Sequence, residues 1–376
     1  MAKKKTPSKT ATKSAGLSRR KFVALTGAGA AVAAGSAFVP KTVYAATKTK
    51  VKLTLGWLPQ GTTAWAFASL PFWEKEGIEV SVEKGSGSAL AVQQIGQGAY
   101  EFGVPAAPNG IQQAIKGLPL VAMATLSYDT SMGLIVLDDS SIKTPGDLNN
   151  TTVGSTLTSG EYPFLPAFYK NVGVDPETIK SIALDNKVRE RALIDGQVDA
   201  ISAFGTSAVP KILAAGKTPR VFLYSKAGLP FYGNTLMTSP AYFAENKALC
   251  EAVTMGVCEG IKATLLDPEA TIAKMFDEVP EFKLSSTAKE QADVGLGLWA
   301  ALATVPEQTE NAIGYTSPET YAAMTDVIYG SASKAGDTKP DSSALFTNEF
   351  IGGVKLTTAE WAQVKDTFGS YSALVS

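Results

Sequence analysis

Short β-type runs alternate with helical stretches along most of this chain, and that alternation constrains the fold more than any other feature. Val51-Lys52-Leu53-Thr54-Leu55-Gly56-Trp57 alternates in polarity with the period of a strand. Thr63 to Lys75 reads as a helix, ended by Gly77 before a second strand over Ile78 to Val82. Ser86 or Ser88 is placed to cap a helix running to Gln97, with Gly98 as its terminator. A third short strand follows over Tyr100 to Val104. Elements in this order predict a mostly parallel sheet covered by helices on both faces, an α/β fold.

The same pattern recurs about a hundred residues later. Glycine, two residues and an acid introduce a short apolar strand at Gly98 to Glu101, and again at Gly196 to Asp199 before Ala200-Ile201-Ser202-Ala203. The echo predicts two lobes of related construction rather than one large sheet. Between them, Leu118 to Leu126 and Met132 to Leu137 are strand-like runs where the chain leaves the first lobe. It returns through Val221 to Met237, a second pair of β-type runs broken by Gly228 and Pro230. Two crossings make a two-stranded hinge. The expected division is residues 46–130 with 236–376 in lobe I, and 131–235 in lobe II. From Tyr242 onward the pattern is largely helical: Ala248 to Leu265, Pro268 to Phe276, Ala288 to Ala303, Pro318 to Ile328 and Thr358 to Phe368. Residues 331–348, rich in Ser, Asp, Lys and Gly, are expected to form a surface loop.

Ahead of this comes a targeting segment. Ser18-Arg19-Arg20-Lys21 precedes the uncharged apolar run Phe22 to Val39, and Val43-Tyr44-Ala45 offers the small-residue pattern of a cleavage site. Together they predict a twin-arginine export signal over residues 1–45, handled by the twin-arginine translocase. The run is too rich in Gly and Ala to hold a helix in lipid. Nine of the 34 basic side chains and none of the 35 acidic ones fall in residues 1–45. The rest therefore carries 25 against 35, a net charge near −10. That balance disfavours nucleic acid or an anionic membrane as partner, since both select clustered positive charge. No cysteine stands at the cleavage site for lipid attachment, so a periplasmic address is expected.

The two cysteines, Cys250 and Cys258, lie eight apart on an expected helix. Eight residues rise about 12 Å, beyond disulfide reach, so they read as buried structural thiols. Histidine is absent, which removes Ser-His-Asp and Cys-His catalysis, His general bases and His-ligated metals together. No phosphate-binding glycine loop, cysteine cluster or cofactor motif is present. No carboxylate pair stands out by spacing, so no enzyme activity, catalytic residue, metal or cofactor is expected.

Several segments carry a family resemblance: Leu55-Gly-Trp-Leu-Pro59, Phe72-Trp-Glu-Lys-Glu-Gly-Ile-Glu-Val80, Gly85-Ser-Gly-Ser88, Gly98-Ala-Tyr-Glu-Phe-Gly103, Ile142-Lys-Thr-Pro-Gly-Asp-Leu148 and Leu193-Ile-Asp-Gly-Gln-Val-Asp-Ala200. In order and spacing they resemble type II periplasmic binding proteins of ABC importers, in the cluster that takes up nitrate, sulfonates, taurine and thiamine pyrimidine precursors. The resemblance runs from about residue 51 to 275, and the tail beyond Gly330 is longer than the family implies. It implies two α/β lobes closing on a small molecule and docking, as a monomer, on an ABC permease in the inner membrane. The same branch includes a pyrimidine-forming enzyme that consumes its own active-site histidine, chemistry that a chain without histidine cannot perform. A ligand-sensing partner of a membrane receptor shares the fold and the address.

On this resemblance five loops should line the cleft. After the first strand come Trp57, Gln60, Thr63 and Trp65, whose aromatics either stack on a ligand ring or pack the core. Ser86, Gly87 and Ser88 open a helix and offer N–H groups and hydroxyls, or form a plain capping turn. Ala106 and Asn109 follow the third strand, with Pro108 marking a helix start. In lobe II, Ser159, Gly160, Glu161 and Tyr162 precede Pro163 and Pro166, which suit a helix's first turn. Phe204 and Thr206 end the strand after Asp199. Within these loops the one ionisable side chain is Glu161, either a ligand acceptor or a charge placed for the helix dipole. Gly160-Glu161-Tyr162 is similar to a Gly-Glu-Phe segment of the thiamine-pyrimidine branch. An aromatic or nitrogen-containing ligand fits these loops better than a full anion, with alkanesulfonate, taurine or nitrate as the alternative.

Overall fold

The computed structural model describes residues 48–303 and 312–375. The export signal expected over residues 1–45 lies outside them. Ten strands form two sheets: β1 (Thr49–Leu55), β2 (Ile78–Glu83), β3 (Phe102–Val104), β4 (Val121–Thr125) and β10 (Thr235–Thr238) in one; β5 (Met132–Leu137), β6 (Thr152–Ser155), β7 (Lys180–Ala183), β8 (Ala200–Phe204) and β9 (Pro219–Leu223) in the other. The orders are β2-β1-β3-β10-β4 and β7-β6-β8-β5-β9. The two arrangements match position for position. In each, one strand runs against the rest, β10 or β5, and that strand is the first one laid down after the chain crosses from the other lobe.

The sequence echo has a structural counterpart. Gly98 and Gly196 both adopt positive φ, 74° and 70°, where a side chain would be strained. The acid three residues on then accepts from a backbone N–H of a neighbouring strand: Glu101 from Lys52 and Asp199 from Thr152, both at 2.7 Å. Each lobe thus introduces the middle strand of its sheet, β3 or β8, with the same device.

Helices cover both sheets: α1 (Ala64–Ala68), α2 (Leu70–Lys75), α3 (Ser88–Gly96), α4 (Ala107–Ile115), α5 (Leu165–Val172), α6 (Arg189–Ile194), α7 (Gly205–Ala214), α8 (Pro240–Glu245), α9 (Lys247–Leu266), α10 (Pro268–Glu278), α11 (Ala288–Ala303), α12 (Pro318–Ala332) and α13 (Thr358–Phe368). No helix among the described residues is long and apolar enough to cross a membrane. Where one helix was expected over Thr63 to Lys75, a short 3-10 turn, α1 and α2 follow one another. Ser69 Oγ donates to the Trp65 carbonyl, and Pro71 has no N–H to continue the ladder. The break seats the segment on α9: a side chain at Gly260 would strike Ser69, and one at Gly256 would strike Trp73. Cys250 and Cys258 on α9 are buried and unbridged, and burial pushes their thiols up to about 11 and about 12.

Two other expectations need correction. Neither Ser86 nor Ser88 caps α3 with its side chain. Gly87 occupies the cap, and Ser88 Oγ instead accepts from the Ala106 N–H at 3.1 Å. The segment 331–348 is not merely a surface loop either. Leu345 is buried, and Phe346 bridges to Ala122, with backbone bonds of 2.8 Å on both sides. That pairing covers the outer edge of β4, an edge that would otherwise be open to association.

The lobes are joined by two paired segments. Leu126 N–H donates to the Asn234 carbonyl and Gly233 N–H to the Ser127 carbonyl, each at 2.8 Å. Aromatic pairs surround this neck: Tyr128–Tyr232 at 5.2 Å, Phe164–Phe231 at 5.0 Å and Phe168–Tyr224 at 4.9 Å between centroids. An apolar cluster there takes residues from α4, β5, α5 and α12.

Candidate functional site

Between the lobes lies a cavity of about 30 Å³ lined by Gly56, Trp57, Gln60, Thr62, Thr63, Ser88, Ser159, Gly160, Arg189, Phe204, Thr206, Ser207 and Asn234. The topology explains the gathering. Gly56 and Trp57 follow the carboxyl end of β1, while Ser88, Arg189 and Thr206 lie at the N-terminal ends of α3, α6 and α7. Carboxyl ends of parallel strands and helix N-termini meet at one place in a wound sheet, and free backbone N–H groups converge there.

Direct contacts hold the lobes together around it. Asn109 Nδ2 donates to the Gly160 carbonyl at 3.0 Å, Thr158 Oγ1 to the Ser86 carbonyl at 2.6 Å, and Gln60 Nε2 to Ser207 Oγ at 2.8 Å. Gly87 is required by the same closure. Its φ is 131°, and an added Cβ would stand 1.8 Å from the Thr158 carbonyl oxygen. The cavity is far smaller than the pockets that hold organic ligands, roughly 300–1,000 Å³, so a ring enters only when the lobes part.

Eight of the expected contacts line the cavity: Trp57, Gln60, Thr63, Ser88, Ser159, Gly160, Phe204 and Thr206. The other seven fall around it. Trp65 is buried in the lobe I core, which answers the choice between stacking and packing in favour of packing. Ser86 is exposed at the cleft rim, beside the Gly87 contact. Ala106 is fully buried at the start of α4. Tyr162 is half-buried against the neck cluster. Asn109 is 1% exposed, and its Oδ1 has no partner. That oxygen is 2.8 Å from where a Gly160 Cβ would lie, beside Ser88 and Phe204 of the cavity wall. The Trp57 indole N–H is likewise buried and unpaired.

Glu161 sits one layer behind the cavity wall with no exposed surface. It accepts from Ser159 Oγ, from Ser202 Oγ at 3.2 Å and from Arg189 Nη1 at 3.5 Å. Burial pushes its carboxyl above the usual range, against the pull of Arg189 and the two serines.

Arg189 is the residue that sequence reasoning missed. It is 1% exposed, and its guanidinium carbon lies 5.0 Å from the centroid of the Trp57 ring, an inter-lobe cation–π contact. It also pairs with Glu190 Oε1 at 2.7 Å, and Glu190 reaches Lys211 at 3.2 Å. Burial alone would raise the Glu190 carboxyl, but Arg189 and Lys211 outweigh it and hold it at about 2. Burial would lower the Arg189 guanidinium, yet Glu190 and then Glu161 hold it above its ordinary value. Gly56, Thr62, Ser207 and Asn234 were also not anticipated. Ser207 follows the expected Thr206 directly, so the motif pointed at its neighbourhood; Asn234 sits on the returning neck segment, where no local pattern marks it. Among the described residues no group of His, Cys, Asp or Glu is arranged to hold a metal.

The NMT1/THI5 like family matches residues 65–271, more than half of the chain. This chain belongs to that family. The NMT1/THI5-like match spans β2 through α9, and so includes most of the cavity wall. A Haemophilus influenzae protein named for thiamine biosynthesis is 24% identical over 195 residues, 51% of this chain and 62% of that one. The chain thus spans less than two thirds of that relative's length. The formylaminopyrimidine-binding protein of Halalkalibacterium halodurans is 20% identical over 248 residues, 64% of this chain and 75% of that one. The periplasmic aliphatic sulphonate binding protein of Escherichia coli superposes with a TM-score of 0.56 at 16% identity, over 80% of this chain and 99% of that one. NMT1/THI5-like membership and this superposition together establish the two-lobed periplasmic binding protein fold.

Proposed function

We propose that this chain is an extracytoplasmic solute receptor. It closes its lobes on a small aromatic or nitrogen-containing molecule, of the thiamine pyrimidine precursor type, and delivers it unchanged to an ABC importer. Export by the twin-arginine route to the periplasm is part of this reading.

One observation supports the ligand class above all others. The cleft's only cation, among the described residues lining the cavity, is already answered: Arg189 faces Glu190 and Glu161. A free anion would have to compete with two buried carboxylates for it. What the cleft leaves unanswered instead is a donor, the Trp57 indole N–H, and an acceptor, Asn109 Oδ1, while Arg189 already lies over the Trp57 ring. A buried polar atom without a partner costs roughly 1–3 kcal/mol, so a ligand supplying both partners relieves that cost at each of the two atoms. An aminopyrimidine presents an N–H donor, ring nitrogen acceptors and a stacking face in one molecule. The names of two relatives, with thiamine biosynthesis and formylaminopyrimidine binding, point the same way.

The second reading is alkanesulfonate, taurine or nitrate, favoured by Arg189 and by the fold of the sulphonate binding protein. Thermal shift and calorimetry against aminopyrimidines, aromatic acids, alkanesulfonates, taurine and nitrate separate the two, since a tight ligand raises the melting temperature by mass action. Aminopyrimidines are expected to stabilise the protein, and Trp57→Ala to weaken them about tenfold or more. Stabilisation by sulfonates or nitrate alone would remove the aromatic ligand and keep the receptor. Uptake by a strain lacking the protein separates import from sensing: loss of ligand-dependent growth is expected, and normal growth would sink the import role.

A further inference from the structure

The Gln60 side chain forms a thin partition. Its Nε2 donates to Ser207 Oγ at 2.8 Å and to Thr62 Oγ1 at 2.9 Å. On one side is the 30 Å³ cavity; on the other opens a chamber of about 210 Å³ that shares Gln60, Thr206 and Ser207 with it. The outer chamber is walled by Leu58 and Pro59 of lobe I, Pro210 of α7, and Phe282, Ala288 and Ala292. Phe282 is fixed by stacking on Phe276, 5.1 Å between centroids. The charged groups in the lining stand apart from this apolar face: the Lys211 ammonium is engaged by Glu190, and Glu281 is exposed.

A second observation comes from the rim. Leu284 is 88% exposed, two residues from Phe282 and next to Ser285 of the lining. The partition is also weak. It rests on two neutral hydrogen bonds, to Ser207 and Thr62, each of modest net strength, and rotating Gln60 out of both joins the two chambers.

We infer that the outer chamber is an apolar subsite of the ligand cleft. The solute places its polar head between Trp57, Phe204 and Asn109, and an alkyl or aryl arm passes Gln60 to lie between Pro210, Phe282 and Ala292. This rests on the receptor reading above, and it narrows the ligand to molecules with a head and an apolar arm. Burial of one methylene corresponds to about 0.8 kcal/mol, or about fourfold in affinity.

The test uses calorimetry on two probe series with the full mature protein: 4-amino-2-methylpyrimidines carrying a 5-methyl, 5-butyl or 5-benzyl arm, and ethane-, butane- and octanesulfonate. For whichever head binds, affinity should climb with arm length, approaching fourfold per methylene until the chamber fills. Ser285→Trp, at an exposed position clear of the cavity, should erase that climb while leaving the shortest probe's affinity unchanged. Phe282→Ala should flatten the climb without abolishing short-probe binding. Affinity independent of arm length overturns the subsite and leaves the receptor reading standing, as does a climb that survives Ser285→Trp. Binding of sulfonates alone, with a climb, keeps the subsite and changes the head. Failure of every probe in both series overturns the receptor reading and the subsite with it.

Discussion

Arg189 sets the charge balance of the cleft, and its removal has a calculable cost. Arg189→Ala leaves Glu161 and Glu190 buried without their shared cation, and breaking a buried pair costs about 3–5 kcal/mol. Denaturant melts should show that loss; a change below about 1 kcal/mol would mean the carboxylates simply protonate. The two acids respond to pH in opposite senses. Glu190 is held at about 2 against an ordinary 4.5, so its contribution is present above 4.5 and lost as pH falls through about 2. By linkage that amounts to about 3 kcal/mol, and Glu190→Gln should flatten this acid limb. Glu161 is raised, so its contribution is present below 4.5 and lost as pH rises through its folded value. Glu161→Gln should therefore gain stability relative to the natural protein as pH climbs above 4.5. The sequence offered no sign of this. Lys187-Val188-Arg189-Glu190 reads as the solvated start of a surface helix, because alternating charges beside an exposed Val188 look the same whether or not a tryptophan lies above them. Trp57 belongs to another lobe, and only the closed fold brings it over the guanidinium.

At the scale of elements, what is local in the chain was legible. Gly98 and Gly196 could be read because a positive φ is a demand of the turn itself, whereas the acids that follow them act on Lys52 and Thr152, 49 and 47 residues away, and were legible only through the repeat. The helix over Thr358–Phe368 falls where its pattern ends it. Features set by distant partners were not legible: the break at Ser69 answers to α9, and Phe346 answers to Ala122. Gly87 belongs to both kinds. Its sequence reads as a helix cap, yet its value lies in contact with Thr158 of the other lobe. Gly87→Ala adds backbone strain and a clash that only lobe closure creates, so ligand affinity should fall at least about tenfold, or about 1.4 kcal/mol. Gly98→Ala is the matched control. It has φ +74° with nothing within 4 Å, so it should cost about 1 kcal/mol of stability and no affinity. Equal affinity losses in the two variants would show that strain, not closure, is responsible.

Across the whole molecule, the C-terminal segment ties the lobes together outside the neck. α13 puts Trp361, Val364 and Phe368 into the lobe I core. The following turn, Gly369–Val375, then reaches lobe II, where Val375 is buried with Val209 of α7 and Leu223 of β9. Leu298 of α11 joins the same cluster, and Tyr371 lies so close over Gly297 that no side chain could replace that glycine's hydrogen. α11 itself packs on both the Gly61–Thr63 turn and α7. Closure is thus held by an apolar strap as well as by the polar contacts at the cleft. Burying one valine corresponds to about 1.5–3 kcal/mol, enough to move an open–closed equilibrium tenfold or more. Val375→Asp sets an unpaired carboxylate in that cluster and should release the strap. The expected result is a larger radius of gyration in solution scattering without ligand, and dissociation about tenfold faster, because the closed population that retains the solute has fallen. If the melting temperature drops while scattering and dissociation stay as before, the strap serves stability alone and the cleft contacts close the lobes unaided.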